Sequence, residues 1–176
     1  MKKMVAGVGV ALSFSAPALA DAIPAVGTAA PSFTLPSNRD RNDISLKDYS
    51  GKRLVLYFYP GDFTSGCTIE AQAFERDFQK YQEAGVEILG VSVDSVEKHL
   101  DFGKSYNLEF PLVSDKGGAV SNAYGSLLDL KFLGKFSNRQ TYIISPEGKV
   151  EYVFTDVESG VAKHSEAVLA KLATLK

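Results

Sequence analysis

The 176-residue chain has one cysteine, no tryptophan and only two histidines. A single cysteine excludes a disulfide framework, a C-x-x-C dithiol centre and every multi-cysteine zinc pattern. Charge of either sign is also scarce in excess: 19 Lys and Arg stand against 21 Asp and Glu, a net charge of −2. With no basic block to follow a phosphate backbone, nucleic acid is not an expected partner. No apolar run reaches the about 20 residues that cross a bilayer, so a membrane-spanning chain is not expected either. Internal repeats and low-complexity tracts are missing as well. What is present is a sequence 45% hydrophobic, with 11 Phe and 8 Tyr. A domain of this size buries about 70% of its unfolded surface and needs neither metal nor disulfide to hold a core.

The first twenty residues read differently from the rest. Lys2 and Lys3 precede an uncharged, mostly apolar stretch from Met4 to Ala16, and Ala18-Leu19-Ala20 then precedes Asp21. This is the pattern of a cleaved export signal, and Lys-Lys in place of Arg-Arg favours the general route over a twin-arginine one. Residues 1–20 are therefore read as an export signal, 21–30 as a lead-in and 31–176 as the folded domain. The mature chain, with 17 basic and 21 acidic side chains, carries a net charge of −4. Periplasm, secretion or a thylakoid lumen follow from cleavage. Cytoplasm or plastid stroma follow if the leader stays.

Ser32–Leu35 and Asp43–Leu46 alternate around a polar turn and read as a hairpin. Leu54–Tyr59 is a continuous apolar run, as in a strand buried on both faces. Cys67, Ala71, Phe74, Phe78 and Tyr81 then recur at helical spacing, ended by Gly85 at a C-cap position. Val86–Val93 is a second buried strand, Asp94-Ser95 caps a helix to about Tyr106, and Pro111–Ser114 is a short strand. A short helix follows near Ala119–Tyr124. Gln140–Ser145 and Lys149–Phe154 flank the turn Pro146-Glu147-Gly148, and a last helix carries Val168, Leu169, Leu172 and Leu175. Strands joined through helices are parallel neighbours and the late hairpin adds antiparallel ones. The fold class is α/β: a mixed central sheet flanked by helices with an N-terminal β-hairpin, which resembles the thioredoxin fold.

Cys67 falls in the first turn of the helix after Leu54–Tyr59. Unpaired backbone N–H groups and the helix dipole favour an anion there, and a thiolate is the nucleophilic form of the side chain. Pro60, Thr64 and Cys67 form P-x-x-x-T-x-x-C. With Tyr-Phe-Tyr-Pro before it, Gly-Cys-Thr-x-Glu-Ala within it, and Ser114-Asp115, Ala123-Tyr124-Gly125 and Arg139-Gln140-Thr141-Tyr142 later, the chain resembles the peroxiredoxins. The similarity is to the peroxiredoxin Q/bacterioferritin comigratory protein group and runs from about Val26 to the C-terminus. It departs in two places. Ser65 stands where the group usually has Pro, and Gln72 stands where many members carry a resolving cysteine. No internal disulfide can form, so the resemblance is to a one-Cys type.

The resemblance implies a thiol peroxidase in which Cys67 attacks hydrogen peroxide or an organic hydroperoxide and becomes a sulfenic acid. It implies an external reductant, thioredoxin, glutaredoxin or glutathione, with no cofactor and no metal. Lowering any thiol pKa from about 8.5 to about 6 multiplies thiolate at pH 7 roughly thirty-fold, and lost nucleophilicity returns about ten-fold of that. A net gain of about three-fold is no peroxidase, so donors aimed at the peroxide oxygens must supply the rest. The resemblance gives that role to the Thr64 hydroxyl, the Arg139 guanidinium and the N–H groups near Gly66 and Cys67, with Pro60 limiting water. Phe63 and Phe136 are candidate entrance walls. Glu70 is read as a first-turn helix acid, and His99 and His164 as solvated helix positions rather than metal ligands. A monomer is expected. The rival reading is a non-catalytic thioredoxin-fold binding or chaperone module.

Overall fold

The computed structural model describes residues 22–40 and 42–175. The expected export signal lies outside the described residues. A two-stranded hairpin opens the domain, β1 (Thr34–Pro36) with β2 (Asp43–Ser45). Then come β3 (Arg53–Phe58), α1 (Ser65–Arg76), α2 (Phe78–Glu83), β4 (Val86–Ser92), α3 (Val96–Ser105), β5 (Leu112–Ser114) and α4 (Ala119–Ala123). A second small hairpin, β6 (Leu127–Asp129) with β7 (Lys135–Ser137), leads into β8 (Gln140–Ile144), β9 (Val150–Phe154) and α5 (His164–Leu172). The central sheet has the order β5-β4-β3-β8-β9. Its β3, β4 and β5 are parallel, and β8 and β9 are antiparallel additions.

The unbroken apolar run of β3 follows from its central place. Val55, Tyr57 and Tyr59 enter a core shared with Phe74 of α1, Tyr81 of α2, Phe102 of α3 and Val168 of α5. Leu54, Leu56 and Phe58 enter the opposite core, covered by Tyr124 beyond α4 and by Phe33, Leu35 and Ile44 of the N-terminal hairpin. Side chains alternate across a strand, so a strand covered on both faces has no polar face to offer. Each fully buried Val, Leu or Phe among them contributes about 1.5–3 kcal/mol.

Three departures from the sequence reading have local causes. The helix expected from Cys67 to Tyr81 is broken at Asp77 (φ −98°, ψ 2°) into α1 and α2. The Asp77 side chain is buried and paired with both Arg76 and Lys80, at 2.6 and 2.8 Å. Apolar spacing continues across this break because both pieces pack on one core. The β6–β7 hairpin was not read because Leu127–Lys135 lacks the alternation of a half-buried strand. It exposes Leu130, Phe132 and Leu133. The lead-in at 22–30, exposed over most of its length, is nonetheless tied to the sheet: the Gly27 and Ala30 N–H groups donate to Val150 and Gly148 carbonyls at 2.8 and 2.9 Å.

Candidate active site

The parallel strand β3 ends where its loop, Pro60–Thr64, turns the chain into α1. Antiparallel β8 begins at that same end of the sheet, with Gln140 opposite Phe58. Arg139, one residue before β8, is therefore delivered to the loop from a point 72 residues from Cys67 in sequence. Thr64 sits at the N-cap of α1 in extended conformation (φ −77°, ψ 149°), and Cys67 lies in the helix's first turn, 1% exposed. The first helical hydrogen bond runs from Thr68 N–H to the Thr64 carbonyl at 2.9 Å. The N–H groups of Ser65, Gly66 and Cys67 precede it and concentrate positive potential at the thiol.

Arg139 Nη2 donates to Cys67 Sγ at 3.4 Å while its Nη1 donates to Glu70. Burial alone would disfavour the guanidinium charge, but Glu70 and Cys67 beside it outweigh burial and keep it protonated. Gly66 makes this approach possible, since a Cβ there would stand 3.1 Å from Arg139 Nη2. The structure thus brings Cys67, Gly66 and Arg139 together. The Thr64 hydroxyl, on an exposed residue, donates to the Gly61 carbonyl at 3.1 Å. Its proton is engaged within the loop, which differs from the donor role expected of it and turns its lone pairs outward. Pro60 is half-buried at the loop's start. Phe63 is 47% exposed and packs edge-on to Phe102 at 5.2 Å, while Phe136 is half-buried on β7, paired with Leu128.

Three side chains read as solvated or peripheral are buried parts of this region. Glu70 is fully buried and ion-paired with Arg139, so it is no first-turn surface acid. Its place three residues after Cys67 on the sheet-facing side of α1 was the available signal. His164 is 4% exposed, and its Nε2 lies 2.8 Å from Thr141 Oγ1 and 4.0 Å from Glu70 Oε1. Thr141 shares the face of Arg139, two residues on along β8. Burial, then the nearby Arg139 charge, lowers the His164 pKa to about 4. His99 is fully buried and lies beside Asp62 and Tyr59. Among the described residues, no group of three or more His, Cys, Asp and Glu is arranged to hold a metal, and no helix is long and apolar enough to cross a membrane.

Comparison with known proteins gives the chain a family and relatives of the same fold. Residues 26–153 match the model of the AhpC/TSA family. The chain is 42% identical over 130 residues to the chloroplastic peroxiredoxin Q of Triticum aestivum, covering 74% of this chain but only 58% of that relative. It is 41% identical over 150 residues to the bcp peroxiredoxin of Coxiella burnetii, covering 84% of this chain and 97% of that one. Among solved structures, Xanthomonas campestris peroxiredoxin Q superposes with a TM-score of 0.75 at 35% identity, over 87% of this chain and 97% of the other. The peroxidoxin BcpB of Mycobacterium tuberculosis superposes with a TM-score of 0.78 at 29% identity, over 87% and 99%.

Proposed function

Since the chain belongs to the AhpC/TSA family and has the thioredoxin-like fold of its peroxiredoxin Q relatives, we propose that it is a thiol-dependent peroxidase built on Cys67. The observation that carries the proposal is the Arg139 guanidinium, held by Glu70 and 3.4 Å from Cys67 Sγ at a helix N-terminus. The thiolate attacks one oxygen of a hydroperoxide, an S–O bond forms as the O–O bond breaks, and the departing hydroxide or alkoxide takes a proton to leave as water or alcohol. Arg139 stabilises first the thiolate and then the charge growing on the departing oxygen. Thr64 Oγ, its own proton on Gly61, accepts the hydroperoxide O–H and orients it.

Cys67 is left as a sulfenic acid, and an external thiol attacks it, expelling water and leaving a mixed disulfide that a second thiol clears. A thioredoxin-type dithiol is the reductant this reading favours, with glutaredoxin or glutathione as the alternatives, acting on a monomer. An exported, processed protein fits the leader. Cleavage after Ala20 leaves intact the packing of Ala22 and Ile23 backbone over Gly125, where a Cβ would come within 2.8 Å of Ile23 N.

Stopped-flow mixing of reduced protein with hydrogen peroxide tests the proposal. A fast reaction that disappears in Cys67→Ser is expected, and peroxide consumption surviving in that variant overturns it. N-terminal sequencing of native protein checks processing: a mature chain still carrying Lys2 and Lys3 removes the exported location.

A further inference from the structure

Beneath the Pro60–Thr64 loop lies a set of buried polar groups that the peroxide chemistry does not use. Tyr59, Asp62 and His99 are 1%, 2% and 0% exposed. The Tyr59 hydroxyl donates to Asp62 Oδ1 at 2.7 Å, and His99 Nδ1 lies 2.7 Å from Asp62 Oδ2. His99 Nε2 lies 3.2 Å from the Val113 carbonyl oxygen of β5. The Asp62 main-chain N–H donates to Asp94 Oδ2 at 2.7 Å, and Lys98 Nζ holds the other Asp94 oxygen at 2.7 Å.

Accounting for protons fixes how the ring is bonded. A carbonyl oxygen only accepts, so Nε2 carries a hydrogen. Burial and the Asp62 charge hold the Tyr59 hydroxyl protonated, which makes it a donor to Oδ1. A further proton lies between Nδ1 and Oδ2, and it bonds the ring to the carboxyl group whichever of the two carries it. A buried, fully satisfied polar network of this kind is a good source of fixed geometry.

The geometry it fixes is that of the loop. Phe63 has φ +64°, a left-handed conformation that a bulky residue keeps only when its surroundings impose it. Gly61, whose carbonyl takes the Thr64 hydroxyl, has no room for a side chain because a Cβ would meet Asp94 Oδ2 at 3.1 Å. Asp62 is thus the pin between the strained residue and the carbonyl that orients Thr64. We propose that Tyr59, Asp62 and His99 form a positioning clamp, with His99 tying the loop to α3 and β5 so that Thr64 and the start of α1 face an incoming hydroperoxide. The inference rests on the peroxidase reading and adds three positioning residues to it.

Loss of the clamp separates two reactions of one thiol. Peroxide needs Thr64, Arg139 and Cys67 aligned, whereas alkylation by iodoacetamide needs only access to a sulfur that is 1% exposed. In His99→Leu, measured where the variant is folded, the peroxide reaction should slow at least ten-fold while alkylation accelerates several-fold. His99→Asn, which keeps an N–H opposite Asp62, should restore both to within about three-fold of wild type. Tyr59→Phe keeps the ring and its packing, serves if His99→Leu does not fold, and should move both rates the same way by two- to five-fold. Lost stability alone speeds alkylation by opening the fold but does not slow the peroxide reaction of the folded protein, so the slowed peroxide reaction is the discriminating readout. Unchanged rates, or both reactions slowing together, overturn the clamp. Spectra of 15N-histidine-labelled protein at pH 7, assigned with His164→Gln, should show the His99 Nε2 protonated and its Nδ1 hydrogen-bonded, and a bare Nε2 on His99 overturns the inference. If wild type itself ignores peroxide, the peroxidase reading fails, and the histidine spectrum still judges the clamp.

Discussion

Acidification from pH 7 to pH 5 should destabilise this protein through one residue, His164. The ring is wedged edge-on between Phe74 and Phe154, with centroids at 5.6 and 5.2 Å, and is 4% exposed. Burial first, and then the Arg139 charge, hold its pKa at about 4 against 6.5 for a free histidine. Glu70 Oε1 lies 4.0 Å away, but its charge is already offset by Arg139. As pH falls, the unfolded chain takes up this proton before the folded one does. The stability His164 protects is therefore whole above pH 6.5 and drains away as pH falls towards 4. Between pH 7 and pH 5 the loss is about 2 kcal/mol, out of a limiting value of about 3 kcal/mol. For a domain of this size that is roughly 4–8 °C in Tm. Urea denaturation of wild type and His164→Gln at pH 7, 6 and 5 measures it. Glutamine can still reach Thr141 but does not titrate, so its curve should be flatter by the stated amount. Parallel curves for the two proteins would refute the reasoning.

Three further outcomes are expected. Gly66→Ala puts a methyl group 3.1 Å from Arg139 Nη2. It should slow peroxide oxidation about ten-fold while stability holds or rises by up to about 1 kcal/mol, since alanine is the better helix former; an unchanged rate would detach Arg139's position from the chemistry. Tyr57→Phe removes a buried hydroxyl that has no protein hydrogen-bond partner among the described residues. Thermal melts should show equal or greater stability, because a lone buried hydroxyl costs about 1–3 kcal/mol; a clear loss would show that the hydroxyl is bonded. Oxidised wild type, with one thiol, should be a dimedone-reactive monomer by mass. Gln72→Cys should instead lose two hydrogens, although Gln72 is exposed while Cys67 is buried, so the start of α1 must unwind for the bond to form. Quantitative disulfide dimer from wild type would overturn the one-Cys reading.

The order of strands and helices, apart from the β6–β7 hairpin and the α1–α2 break, was legible because those elements carry local apolar patterns. The continuous apolar run of β3 and the α1 spacing through Phe74 are local signals. The Cys67 environment was half legible. Its helix position can be read from neighbouring residues, whereas the arrival of Arg139 depends on β8 pairing antiparallel with β3 in a particular register. The histidines were misread for a related reason. Nothing adjacent to His99 announces Asp62, 37 residues earlier, or the Val113 carbonyl. His164 looks like a polar start to an amphipathic helix until Thr141 and the two phenyl rings close round it. A buried polar side chain is satisfied by partners distant in sequence, and spacing within one element does not show them.

The hydrogen-bonded segment at 27–38 has a consequence for colloidal behaviour. A sheet ends in two rows of unpaired N–H and C=O groups, the surfaces on which chains add strands to one another. Here a single stretch of polypeptide crosses one face and blunts both ends of the row. Gly27–Ala30 bonds to Gly148–Val150 where β9 begins, and at the far side Ser37 bridges Val113 while Asn38 N–H donates to the Leu112 carbonyl at 3.0 Å. The Asn38 side chain closes the return bond from Leu112 N–H at 2.9 Å. A chain trimmed to residue 31 would keep the cysteine, the arginine and most of the core, yet present the start of β9 bare. Its failure would be read in light scattering before it was read in peroxide turnover.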